Sequence, residues 1–259
     1  MSPVGVLLAV AYEGTHFKGW AAQTGERTIE DAVAGAIRTL DARASAPRGT
    51  SRTDAGVHAE AHLVAFDAAL DIPPRGWVLA LNQHLPDDVA VRSARRVPAG
   101  FNPRFSNRGK RYRYRILLDR VRDPLCAART WRIGWPLDLG KLEREAQTVV
   151  GTHDFGGFRG AADERKDTVR TITRCGIERE SDRVVTIAVE GNAFLYNMVR
   201  IVVGTLVEVA RGRLEEGAIA RMLASKDRRA GGPTAPAHGL TLEWVDVVLP
   251  EGAGDPWPR

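Results

Sequence analysis

Arg52 and Asp54 stand two residues apart in the segment Ser51-Arg52-Thr53-Asp54-Ala55-Gly56-Val57-His58-Ala59. That spacing puts a guanidinium and a carboxylate on one tight turn of small residues. Gly56 gives the backbone freedom to bend just after the acid, and the strand-like run His62-Leu63-Val64-Ala65-Phe66 follows at once. A carboxylate held on a loop by a rigid strand is well placed to meet a ligand. Ionised at neutral pH, it can serve as a nucleophile or as a base. Taken alone, the pair reads more readily as a surface salt bridge, a common and weak feature. His58 and His62, with Glu60 between them, have the residue types of a metal site. On a strand, however, four residues span about 13 Å, too far for one zinc ion, so no metal is expected.

A second cluster is defined by charge. Between Arg92 and Arg115 there are nine basic residues (Arg92, Arg95, Arg96, Arg104, Arg108, Lys110, Arg111, Arg113 and Arg115) and no acid. The formal net charge is +5, so the remainder of the chain is mildly acidic. One basic block on such a background suits a surface that tracks phosphates. Tyr112 and Tyr114 interleave with the arginines, and aromatic rings among cations suit stacked, single-stranded bases. Gly109-Lys110 lacks the upstream glycine of a phosphate loop, so nucleotide hydrolysis has no support.

With 259 residues and 44% hydrophobic content the chain has ample material for a core, as one large domain or two modest ones. Two cysteines, Cys126 and Cys175, are too few for a disulfide framework and suit a cytoplasmic protein. The N-terminus shows no charged segment followed by a long apolar stretch, which argues against a secretory signal. The most apolar segment, Phe194 to Ala210, contains Arg200 and Glu208; it reads as a buried helix, not a membrane span.

The elements that must position these residues follow from periodicity. Val4 to Tyr12 alternates as a strand. Thr28 is a plausible N-cap for a helix over residues 29–40, with Ile29, Val33, Ile37 and Leu40 on one face. Trp77 to Asn82 reads as a short helix. Arg111 to Leu118 reads as a strand with Tyr112, Tyr114 and Ile116 on one face and Arg113 and Arg115 on the other. A helix is predicted from Leu139 to Val150, ended by Gly151. Strands follow at Thr171 to Arg179 and Val184 to Glu190, then helices at Phe194 to Ala210 and near Leu214 to Ala224, and a last strand at Leu240 to Leu249. This order predicts an α+β fold rather than a doubly wound parallel sheet. Patterning breaks at Arg122-Asp123-Pro124 and Gly134-Trp135-Pro136. The expected organisation is therefore a first half over 1–119, a connection over 120–136, a second half over 137–250, and a frayed Pro/Gly-rich tail over 251–259.

Several segments match one known family in order. They are Tyr12-Glu13-Gly14-Thr15-His16-Phe17-Lys18-Gly19-Trp20 with Gln23, the Ser51 to His58 loop, Leu81-Asn82-Gln83-His84-Leu85-Pro86-Asp87-Asp88-Val89, and Phe101-Asn102-Pro103-Arg104-Phe105-Ser106. Arg111-Tyr112-Arg113-Tyr114, Phe194-Leu195-Tyr196-Asn197-Met198-Val199-Arg200 and Pro233-Thr234-Ala235-Pro236-Ala237-His238-Gly239-Leu240 complete the set. Together they resemble the tRNA pseudouridine synthase A family over nearly the whole chain. The resemblance implies two similar α+β halves whose antiparallel sheets join into one continuous sheet, with helices packed on it and an active cleft between the halves. It implies an isomerase, an intramolecular transferase that needs no cofactor, acting on uridines 38 to 40 of the tRNA anticodon stem-loop as a homodimer. An inactive RNA-binding protein, or a synthase for a different RNA, is the alternative.

The family's roles carry over residue by residue. Asp54 is then the catalytic acid, acting at the ribose as nucleophile at C1′ or base at C2′. Arg200 faces it across the cleft and keeps it ionised. Tyr112 stacks on the flipped uracil and assists loss of the C5 proton, and flipping exposes a sugar carbon that is otherwise hidden. Arg52 holds the nucleotide open or binds its phosphate. Arg104, Arg108, Lys110 and Arg111 are the RNA-binding candidates. Three departures from the family pattern stand out: Ser51 for a glycine, Asn102 for a histidine, and Ala21 for a glutamine. None touches Asp54, Tyr112 or Arg200.

Overall fold

A computed structural model describes residues 3–258; Met1, Ser2 and Arg259, the extremes of the expected first half and tail, lie outside them. The chain divides into two compact units, Met1–Arg108 with Leu242–Arg259, and Gly109–Thr241. The fold is mixed α+β. The described residues form ten strands and five α-helices.

The first unit contains β1 (Val4–Tyr12), α1 (Ile29–Leu40), β2 (Arg48–Gly49), β3 (His58–Ala68), α2 (Pro74–Asn82) and β4 (Val89–Val97). β1 is central and pairs antiparallel with β3 on one side and β4 on the other. α1 occupies the predicted span, and Thr28 accepts the Asp31 N–H at 3.3 Å, a cap that typically contributes about 1 kcal/mol. Its apolar face, Ile29, Val33 and Ile37, is buried. Trp77 of α2 meets Phe66 of β3 edge to face at 5.1 Å, a geometry favoured by the ring quadrupoles. β4 escaped the periodicity reading for a physical reason. Ser93 pairs with Ala9 but Val91 with Val10, so Arg92 is an extra residue that shifts the alternation midway.

The second unit takes in most of β5 (Asn107–Leu118), then β6 (Trp131–Ile133), α3 (Leu139–Thr148), β7 (Gly151–Asp154), β8 (Val169–Arg179), β9 (Val184–Gly191), α4 (Met198–Ala210) and α5 (Ala218–Ser225). The last strand, β10 (Leu240–Val247), straddles the division. β5, β9, β8 and β7 pair antiparallel in turn, and β6 adds to β5 in parallel. Tyr112, Tyr114 and Ile116 share the buried face of β5, as alternation predicts. Glu145 of α3 is buried, and its carboxylate accepts the N–H groups of Gly217 and Ile219 at the start of α5. It thereby satisfies donors that a helix start leaves unpaired.

Two expectations are corrected. The helix predicted from Phe194 begins at Met198 instead, because Asn197 is left-handed at φ 60° and breaks the run. The C-terminal segment, read as frayed, is docked on the first unit. Ala94 and Trp257 exchange two backbone hydrogen bonds, at 2.8 and 2.9 Å, and Ala253 packs with Phe101 against Leu7, Ala65 and Val97. The apolar area those residues cover outweighs the local Pro/Gly bias.

Candidate active site

In the first unit the site is the loop carrying Asp54. The chain before it supplies a scaffold, and β3 after it supplies an anchor. His58 and His62 lie on β3 and are buried. His62 is edge-on to Trp20 at 4.2 Å, and its Nε2 accepts the Ser51 N–H at 3.4 Å. A backbone N–H can only donate, so Nε2 is unprotonated and Nδ1 carries the proton. Nδ1 lies 3.1 Å from the Tyr12 hydroxyl, which in turn is 2.8 Å from Thr53 Oγ1. A buried chain of hydrogen bonds therefore reaches the residue beside Asp54. His58 Nδ1 accepts the Gly14 N–H at 2.9 Å.

Backbone contacts complete the cradle. The Trp20 N–H donates to Thr53 O at 3.1 Å, Gly56 N–H to Phe17 O at 3.2 Å, and Val57 N–H to Asp54 O at 3.2 Å. Gly19 makes this approach possible. Its φ is +93°, and a Cβ there would sit 2.6 Å from Thr53 O, so a larger residue is excluded both by conformation and by space. The Leu81 to Val89 motif joins the same scaffold. The Glu13 N–H donates to Asp88 O at 2.9 Å, and Arg27 grips the Asp88 carboxylate with two bonds of 2.8 Å. Asp54 is half-buried at the rim of this loop and Arg52 is exposed. The Ser51 departure is accommodated because Ser51 is not among the residues with positive φ, so no glycine-only conformation is needed there.

In the second unit three motifs converge on Arg200. Arg200 Nε donates to Ala235 O at 2.8 Å, and Nη1 to Asn197 Oδ1 at 2.7 Å. The left-handed Asn197 that shortens α4 thus orients the guanidinium. The Ala235 N–H returns a bond to Arg200 O at 3.0 Å. This contact requires Gly204, where a Cβ would lie 1.7 Å from Pro233 O. Tyr114 is fully buried and donates its hydroxyl to Pro236 O at 2.8 Å. Burial pushes its phenol far up, against the opposing charge of Arg200, so it stays a neutral donor. Tyr112 is buried with its ring edge-on to Phe194 at 5.2 Å.

The segment entering α4 is held from outside the motif. Asp163 is buried and accepts the Tyr196 N–H at 2.9 Å, and the Gly160 N–H donates to Tyr196 O at 2.8 Å. Arg165 grips the same carboxylate with its guanidinium and its own N–H, which with the Tyr196 N–H holds Asp163 well below the usual carboxylate range despite burial.

The basic candidates are differently placed. Arg104 and Arg108 are exposed. Lys110 is buried, with Nζ 5.8 Å from the centre of the Phe194 ring. Arg111 lies 3.3 Å from Glu178 and 3.5 Å from Glu190. Asn102, the second departure, accepts the Arg104 N–H on its own Oδ1 at 3.1 Å and so shapes its own loop. The positioning roles of Tyr12, His58, His62, Asn197 and Asp163 went unread in the sequence. His58 and His62 alone carried a signal, since residues four apart on a strand share a face.

The sequence of the chain is similar to those of known proteins. Residues 8–106 and 146–246 match the family model described as tRNA pseudouridine synthase. The chain is similar to the tRNA pseudouridine synthase A of Halalkalibacterium halodurans, 42% identical over 90% of this chain and 89% of that protein. It is 43% identical to the same-named protein of Myxococcus xanthus, over 92% of this chain and 90% of the other. With that of Acetivibrio thermocellus it shares 40% identity over 92% and 97% of the two chains.

Proposed function

Since the chain belongs to the tRNA pseudouridine synthase family and is an isomerase that converts uridine in tRNA to pseudouridine, we propose that Asp54 is its catalytic acid and that Arg200 and Tyr112 bind the reacting nucleotide. The observation that carries this reading is the cradle around Asp54. Tyr12, Gly19, Trp20 and His62 fix the backbone of one short loop whose acid remains half-buried at its rim. A preorganised carboxylate avoids the entropy of being ordered during the reaction.

The isomerisation breaks the bond between N1 and C1′, turns the uracil, and joins C5 to C1′, so that the C5 proton leaves to water and N1 takes one up. Asp54 acts at the ribose, as nucleophile at C1′ or as base at C2′. The uridine is extruded first, because stacking hides its sugar from the acid. Arg200 holds a guanidinium oriented by Ala235 O and Asn197 Oδ1 and keeps charge on its partner. Tyr112 offers a ring braced by Phe194 for the uracil to stack on. Arg52, exposed beside the acid, takes the phosphate or keeps the nucleotide open. Arg104, Arg108, Lys110 and Arg111 bind the RNA backbone.

We place the target at positions 38 to 40 of the anticodon stem-loop, with a homodimer as the working species in the cytoplasm. No helix among the described residues is long and apolar enough to cross a membrane, and Cys126 and Cys175 are free thiols. Burial pushes the Cys175 thiol up to about 12, which leaves it inert.

Release of tritium from C5-labelled unmodified tRNA tests the activity. Wild-type protein is expected to release it, and Asp54→Asn to release none while still binding tRNA. Full release by Asp54→Asn would reject the assigned acid. Transcripts with uridine at only one of positions 38, 39 and 40 test the site, and equal release from uridines elsewhere in the tRNA would reject it.

A further inference from the structure

We infer that Phe105 is a stacking platform for an unpaired base of the RNA substrate, separate from the residues that handle the reacting uridine; this rests on the reading of the chain as a tRNA-modifying enzyme. The ring is 85% exposed, more than any other aromatic side chain among the described residues. A single exposed apolar residue needs no explanation by itself. Two further observations make this one different.

The backbone that presents the ring is pinned on both sides. Arg48 donates from Nε and Nη2 to Phe101 O, at 3.2 and 3.1 Å. Asp67 ties the same arginine at 2.9 Å and accepts the Gly100 N–H at 2.8 Å. Asn102 then closes the turn itself, accepting the Arg104 N–H on Oδ1 and the Phe105 N–H on its carbonyl at 3.2 Å. Beyond the ring, Ser106 O accepts the Val248 N–H at 2.8 Å. A ring held out from such a loop loses little freedom when a ligand covers it, so more of the contact energy appears as affinity.

The neighbours are cations. Arg104 precedes Phe105 and Arg108 lies three residues on, both exposed, in a stretch from Arg92 to Arg108 with five arginines and no acid. An exposed ring with exposed arginines close to it in the chain has the parts that single-stranded nucleic acid needs, one for the base and the others for its phosphates. A protein partner of the same area would be expected to meet a larger apolar patch and fewer unopposed charges.

Every base has a π-face, so a stack at Phe105 should tolerate any base.

The test uses the full chain, an unmodified tRNA transcript and its isolated anticodon stem-loop, with binding followed by fluorescence anisotropy. Phe105→Ala is expected to weaken affinity about tenfold, the usual scale for losing one base–aromatic stack. Its thermal midpoint should match wild type, since an exposed ring contributes little to the core. The loss should be the same at every salt concentration, because a stack releases no counterions. Phe105→Trp should bind as wild type does, and Phe105→Leu should resemble Phe105→Ala. Wild-type affinity in Phe105→Ala or Phe105→Leu overturns the proposal. So does light scattering in which Phe105→Ala alone breaks up an RNA-free oligomer, for the ring would then contact a second copy of this chain. Tritium release by wild type, measured in parallel, keeps the two readings apart. Its absence rejects the activity, whereas release with unchanged Phe105→Ala binding rejects the stack alone.

Discussion

The Tyr12 hydroxyl sits between two buried groups, His62 Nδ1 at 3.1 Å and Thr53 Oγ1 at 2.8 Å. With His62 Nε2 occupied by the Ser51 N–H, the order of donation is set: Nδ1–H to Tyr12, and Tyr12 O–H to Thr53. The chain begins and ends on the loop that carries Asp54, so it acts as a brace across that loop. Tyr12→Phe keeps the ring and removes only the oxygen, leaving a buried imidazole donor and a buried hydroxyl without their partner. An unsatisfied buried polar group costs about 1–3 kcal/mol, and the variant should lose stability on that scale in urea unfolding. The effect on catalysis should be separable. Tyr12 touches no nucleotide in the proposed reaction, so kcat for tritium release should fall while KM holds. Unchanged kcat with reduced stability would make the brace a matter of folding only.

At the scale of elements, the segment entering α4 depends on a carboxylate that lies outside the segments carrying the family resemblance. Asp163 ties Tyr196 to the 160–165 loop, and Tyr196 leads directly into Asn197, which orients Arg200. Its carboxyl is held low chiefly by the Arg165 guanidinium, then by the Tyr196 and Arg165 N–H groups, against the cost of burial. A group whose folded pKa is depressed contributes stability above its unfolded value, and that contribution is lost as pH falls toward the folded value. Asp163→Asn should therefore be less stable than wild type by about 2 kcal/mol near pH 7, the scale of hydrogen bonds to a charged group. The gap between the two melting curves should begin to close below pH 4 and keep closing as pH falls toward the folded value, and a gap that does not narrow over that range would refute the linkage. The same segment shows what the sequence made legible. Strong periodicity placed β1, α1 and the buried face of β5, because each buries one continuous face. The start of α4 was misread because nothing in the apolar run Phe194 to Ala210 announces a left-handed Asn197. β4 was missed because an extra residue shifts its alternation. Asp54, Tyr112 and Arg200 were proposed by resemblance, but the contacts that hold them are long-range ones between residues of ordinary type, which no local pattern marks.

Across the whole molecule, the nine-cation block overstates the charge available to RNA. Arg111 is shared between Glu178 and Glu190, Arg115 is clamped by Glu180, and Arg96 pairs with Asp71 at 2.6 Å. Lys110 is buried against an aromatic ring. Arg92, Arg104 and Arg108 are exposed. Only a cation that displaces condensed counterions steepens the salt dependence of binding, by about 0.9 in log–log slope per duplex phosphate and about 0.7 for a single strand. A cation already neutralised by a carboxylate exchanges one partner for another and releases fewer ions. Arg104→Ala and Arg108→Ala should each flatten the slope by nearly one unit, while Arg111→Ala should weaken binding with a smaller change in slope. Titration of tRNA against each variant at several salt concentrations measures this. Equal slope changes at all three positions would mean that RNA strips Arg111 from its glutamates, and that the ion pairs on β5 open when the complex forms.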